Sequence, residues 1–114
     1  MKKIKIQVYS KLNEIEENNE FLAIKNDNVI KYIDLENNKM MFDTKNNIIE
    51  RENNDYFFKI DFNNNYIDIE IKKLHKNMMK NIKTLMISSS NKSFSVKYLL
   101  TDENIINEYY VKFW

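Results

Sequence analysis

No glycine and no proline occurs anywhere in these 114 residues. Every corner of the chain must therefore be turned by residues that carry a Cβ. Asparagine is the best non-glycine occupant of the left-handed backbone region, because its short amide can hydrogen-bond its own backbone. Asparagine-rich clusters recur at short intervals: Asn26-Asp27-Asn28, Glu36-Asn37-Asn38, Lys45-Asn46-Asn47, Asn53-Asn54-Asp55 and Asn63-Asn64-Asn65. Ser89-Ser90-Asn91-Lys92 and Thr101-Asp102-Glu103-Asn104 continue the series. They predict hairpin turns with Asn at positive φ, looser than two-residue Asn-Gly loops.

Between the clusters the apolar residues alternate. Ile4, Ile6 and Val8 share a face, as do Tyr56, Phe58, Ile60 and Phe62. So do Ile67, Ile69 and Ile71; Phe94, Val96, Tyr98 and Leu100; and Ile105, Asn107, Tyr109, Val111 and Phe113. One apolar and one polar face per segment marks antiparallel sheet. A flat sheet of this many strands would leave long edges open to aggregation, and closure removes them. The pattern predicts an all-β chain: one domain over residues 1–114, an antiparallel meander closed into a small β-barrel of eight to ten strands. The long segments 2–12 and 105–113 are expected to pair and close it. One stretch has a second reading. Leu74, Met78, Ile82 and Leu85 follow helical spacing, so a short helix or a loop near 74–80 interrupts the strands; the loop reading places it at about 76–80.

Much chemistry is excluded by composition. Without cysteine there is no disulfide, thiolate nucleophile or thiolate metal site. Asp61, Asn63 and Asn65 match the first three ligand positions of a calcium loop. Tyr66 then stands where glycine is needed and Lys72 where a bidentate Glu is needed, so the stretch reads as a hairpin. His75 is the only histidine. Asp68 and Glu70 share a strand face and suit a solvated surface as well as a weak cation site. Ser88, Ser89, Ser90, Ser93 and Ser95 lie near His75, but no nucleophile elbow frames them. The reading is a non-enzyme with no cofactor and no metal.

Charge is divided unevenly. Residues 1–71 carry 10 basic and 14 acidic side chains, residues 72–114 carry 8 and 3. The acidic run is Glu14, Glu16, Glu17 and Glu20; the basic one is Lys72, Lys73, Lys76, Lys80 and Lys83. A net charge of +1 supplies no strong field toward nucleic acid. No apolar run is long enough to span a bilayer as a helix. A cytoplasmic location is expected.

The segments KIKIQVYSK (3–11), YIDIEIKKL (66–74), SFSVKYLL (93–100) and IINEYYVKF (105–113) resemble the corresponding strands of the uncharacterised bacterial YwiB-like family. The resemblance implies a calycin-type barrel similar to the lipocalin and fatty-acid-binding barrels. It implies no activity. The Gly-x-Trp of lipocalins is missing here, the one tryptophan being Trp114.

Two functional expectations follow. The first is a carrier or sensor holding a small, partly apolar ligand inside the barrel, lined by Tyr56, Phe58, Ile60, Phe62, Tyr98, Tyr109 and Phe113. The second is a protein-interaction module with a filled barrel. Its surface would be Tyr110 and Trp114, or the basic 72–83 segment meeting an acidic partner, including the 14–20 run of a second copy in a homodimer.

Overall fold

Alternation along the chain becomes ten strands in the computed structural model, which describes residues 1–114. They are β1 Lys2–Leu12, β2 Ile15–Asn26, β3 Val29–Ile33, β4 Lys39–Asp43, β5 Ile48–Glu52, β6 Tyr56–Asp61, β7 Tyr66–Ile71, β8 Lys76–Ser89, β9 Ser93–Leu100 and β10 Ile105–Phe113. Each pairs antiparallel with the next, and β1 pairs with β10 from Ile6↔Phe113 to Lys11↔Glu108. The meander is thus a closed barrel, with the two terminal segments closing it as their patterning predicts. Apolar side chains point inward and most charged ones outward, the inverse of a barrel that faces lipid. No helix is long and apolar enough to cross a membrane.

The turns work without glycine as expected. Asn13, Asn37, Asn47, Asn65 and Asn104 lie at φ between 51° and 63°, joined by Glu14, Asp27 and His75. Two hairpins are tighter than the cluster pattern predicts. Leu12 pairs with Ile15, and Asn26 with Val29, leaving two-residue loops. Three loops share one construction, the pattern Asp-x-x-Asn-Asn at 34–38, 43–47 and 61–65. Asp61 Oδ1 accepts the backbone N–H groups of Asn63 and Asn64 at 3.1 and 3.0 Å, and Oδ2 accepts Asn64 Nδ2 at 2.9 Å. Asp43 does the same with Lys45 and Asn46, and Asp34 with Glu36 and Asn38. These are Asx turns, in which the carboxylate satisfies backbone donors that no strand reaches. Both carboxylate oxygens of Asp61 are engaged in holding the bend.

The stretch with two readings is strand. A 3₁₀ turn over Lys72–Leu74 and a left-handed His75 lead directly into β8. The turn occupies 72–75, and the proposed loop at 76–80 is instead paired with β7, from Ile71↔Lys76 to Tyr66↔Asn81. The reason is geometric: a spacing of four satisfies period two as well as period 3.6. Met78 and Ile82 share a strand face, and the unpaired edge of β7 decides between the readings by supplying backbone partners.

Nineteen buried apolar residues form one core. A chain of aromatic rings crosses it: Phe21 to Tyr32 at 4.8 Å, Tyr32 to Phe42 at 5.6 Å, and Phe42 to Tyr109 at 5.8 Å between centroids. Phe42 is fully buried and also meets Phe94. Two long strands change company along their length. β8 pairs with β7 up to Asn81 and with β9 from Ile82 onward. β2 follows β1 throughout but meets β3 only at Ile24–Asn26. The barrel therefore gapes between Ile15–Ala23 of β2 and the end of β3.

Replacing Asp43 or Asp61 by Ala should lower stability by about 1–2 kcal/mol each, because several loop N–H groups lose their acceptor. His75→Gly should raise it by about 0.5–1 kcal/mol by relieving a left-handed residue that has a Cβ. Urea unfolding midpoints of the three variants against the parent check both directions.

Candidate functional site

Inward positions of this barrel are apolar with few exceptions, and one exception is a cation. On β5 the inward face reads Ile49 then Arg51. Arg51 stands opposite Met40 on β4 and Phe58 on β6. Its Nε is the one buried side-chain nitrogen or oxygen without a hydrogen-bond partner in the protein. A buried donor left unpaired costs roughly 1–3 kcal/mol, so such an atom calls for a ligand group or an ordered water.

Arg51 opens onto a cavity of about 230 Å³ at the mouth of the barrel, beside the gap between β2 and β3. Val8, Leu12, Ile15, Phe21 and Met40 form its apolar wall. Ser10, Asn13, Asn19, Tyr32 and Tyr109 supply polar groups, and Glu17, Asp34 and Glu36 the rim acids. The acids engage Arg51 weakly. Asp34 spends both oxygens on its own loop. Glu36 approaches the guanidinium only to 3.8 Å and is 69% exposed, an arrangement that contributes little. Hydrogen bonds brace the surroundings. Asn107, buried on β10, accepts the Asn13 N–H at 3.0 Å. Asn53 donates to Asn38, which donates to Asp34.

Three tyrosines feel the guanidinium. Burial pushes the Tyr98 phenol up to about 12, with the Asn107 side chain and Arg51 pulling the other way. Tyr32 and Tyr109 are raised too, by burial first; Asp34 adds to the effect at Tyr32, Tyr98 and Tyr32 add to it at Tyr109, and Arg51 opposes it at both. All three stay neutral at ordinary pH and act there as hydroxyl donors or acceptors.

Of the seven residues expected to line a ligand, Tyr109 alone lines this cavity. Ile60, Phe62, Tyr98 and Phe113 are buried in the core, with Phe62 against Tyr98 at 5.3 Å. Phe58 packs at the edge of that core, and Tyr56, tilted against it at 5.8 Å between ring centroids, is exposed. Sequence reasoning missed Arg51, Tyr32 and Phe21. Their signal is the same alternation: Ile30 and Tyr32, Met40 and Phe42, Ile49 and Arg51 lie two apart on short strands. No cluster of three or more His, Asp or Glu side chains converges anywhere to hold a metal.

Because the tyrosine phenols ionise at higher pH in the folded state than the unfolded value near 10, unfolding releases protons in alkali. Their contribution to stability is intact below about pH 10 and is lost as pH rises through the folded value of Tyr98, about 12. Urea midpoints measured from neutral pH into that window should fall steeply for the parent and less steeply for Tyr98→Phe. An equal slope would remove Tyr98 from the account.

No protein-family model, curated protein or solved structure matches this chain.

Proposed function

We propose that this protein is a non-enzymatic carrier or sensor that takes a small, partly apolar ligand at the barrel mouth, with an oxygen acceptor of the ligand on Arg51. The observation that carries this reading is the unpartnered, buried Arg51 Nε at the wall of a cavity with one apolar side. Binding sites combine apolar walls with a few directed polar groups, and the departure of Arg51 from the inward apolar pattern is of the kind that occurs at functional sites. The cavity of about 230 Å³ lies below the roughly 300–1,000 Å³ of drug-sized sites. It suits a ligand of one ring or a short chain. Its acidic rim favours a neutral carbonyl or amide oxygen over a fully charged anion, because Glu17, Asp34 and Glu36 repel the latter. The calycin-type assignment and the YwiB-like kinship belong to this reading. Both rest on the strand segments quoted above together with the closed meander. A cytoplasmic setting belongs to it also, since the chain has no cysteine to exploit an oxidising one.

A second reading is a protein-interaction module. Large side chains fill most of the barrel. Tyr110 and Trp114 stand exposed at the β10 end, with Lys112 Nζ 5.6 Å from the Tyr110 ring centre. The basic 72–83 segment, over the 3₁₀ turn and the start of β8, is the alternative surface; of its lysines, Lys72 and Lys80 are paired with Glu52 and Glu103.

Native mass spectrometry of freshly purified protein separates the two. The carrier reading expects an added mass that survives gentle transfer and is lost on denaturation. Arg51→Met should abolish that mass while leaving thermal stability equal or higher, because an apolar side chain of similar length replaces a loosely paired, partly buried charge. A bare parent mass, or a ligand retained by Arg51→Met, would overturn the assignment of the site.

A further inference from the structure

The strand that forms one wall of the gap has a free side. β1 accompanies β2 from Ile15 to Lys25, whereas β3 reaches only Ile24–Asn26. Over Ile15–Ala23 the backbone of β2 has a strand on one side and none on the other. Beside this edge, on the outer surface, lies a groove of about 530 Å³ floored by Leu22, Ile24, Ile33, Met41 and Phe57. Leu22 is 82% exposed and Ile33 60%. An unpaired edge next to an exposed apolar groove is the arrangement that β-strand addition uses: ladder hydrogen bonds supply affinity, and alternate side chains supply selectivity.

Charge identifies the occupant: in the groove Lys31 and Lys39 are matched by Glu50 and Glu52, whereas the β2 edge carries acids. Glu16 and Glu20 point outward along this edge, four residues apart on one face, and Glu14 and Glu17 flank them. None of the four takes part in an ion pair; the four ion pairs of the chain use Glu36, Glu52, Glu103 and Glu108. Lys11, opposite Glu16 across the β1–β2 ladder, is the nearest cationic neighbour by register. A second copy is a poor partner here. Antiparallel self-pairing centred on Asn18 sets Glu16 directly against Glu20, and centred on Asn19 it sets the two Glu20 side chains on the ladder diagonal with no cation added; like charges so placed destabilise a ladder. The same acids guard the edge against aggregation, and a basic strand would neutralise them.

We propose that the β2 edge over Ile15–Ala23 receives an extended basic segment of another protein as an additional strand. Its lysine or arginine side chains meet Glu16 and Glu20, and its apolar side chains enter the groove at Leu22 and Ile33.

The probe is a fluorescent valine-rich peptide long enough to span Ile15–Ala23, with two lysines four residues apart to meet Glu16 and Glu20 and a valine on the same face to meet Leu22. Two controls accompany it: one with glutamate for lysine, and one with proline for valine, which keeps the charge but cannot extend a ladder. Fluorescence anisotropy should show saturable binding of the lysine–valine peptide and weak binding of both controls. Amide hydrogen exchange should slow within Ile15–Ala23 when the peptide is bound. The double variant Glu16→Gln, Glu20→Gln alters only exposed side chains and should weaken binding about tenfold, with the difference shrinking as salt is added. Equal binding of the proline peptide would reduce the effect to surface charge and overturn the proposal. So would protection at another strand. Protection of the β2 amides by raised protein concentration alone would assign the edge to a second copy and likewise overturn it.

Discussion

The β1–β10 ladder is the constraint on which the other features rest. Six register pairs, from Ile6↔Phe113 to Lys11↔Glu108, turn an open meander into a barrel. Because the side-chain period is two, this single register also sets which faces meet inside. Ile6 and Val8 from one end of the chain are placed in the same core as Tyr109, Val111 and Phe113 from the other. A slip by one residue would carry Asn107 and Tyr109 to solvent and bring Glu108 and Tyr110 inward. The register therefore determines the polar end of the interior as much as the apolar middle.

Closure does not make the wall uniform. β3, β4 and β5 are five residues each, while β2 has twelve and β8 fourteen. Long strands in a short-stranded wall must run past their neighbours. β8 resolves the mismatch by exchanging β7 for β9 near Asn81–Ile82, with an irregularity at Thr84–Met86. Thr84 helps the transition by donating from its hydroxyl to the Phe62 carbonyl at 2.8 Å and from its N–H to the Asn65 side chain. β2 has no second neighbour to take over, and the gap beside it is the result. The cavity at Arg51 and the outer groove at Leu22 lie on the two sides of that gap and share Tyr32 and Met40. Both candidate binding regions thus descend from one mismatch of strand length.

The rest of the interior is filled by its own rings. Phe42 sits between Tyr32, Phe94 and Tyr109, and beyond it Phe62 and Tyr98 pack together. Small barrels fill themselves with side chains or hold one small ligand. Here the filling is nearly complete, and space remains only toward the mouth, where the rings give way to Ser10, Asn13, Asn19 and Arg51. A charge is tolerable at that level because the guanidinium still reaches solvent, with 36% of the side chain exposed.

Read alone, the chain determined what depends on local physics. Alternation at Ile4, Ile6 and Val8 or at Phe94, Val96 and Tyr98 fixes strand and face together. Asparagine at 37, 47, 65 and 104 marks left-handed turns because few other side chains accept that geometry. The repeated Asp-x-x-Asn-Asn is local too, and it accounts for Asp61 as a turn residue. Strand state over 76–81 was not decidable, since Leu74, Met78 and Ile82 fit both periods until β7 offers its edge. Nor was the candidate site. Arg51, Tyr32, Phe21 and Tyr109 come from four strands, and nothing within any one of them names the others. Their meeting depends on barrel register and on which strand outruns its neighbour, properties of the closed structure that no local spacing encodes.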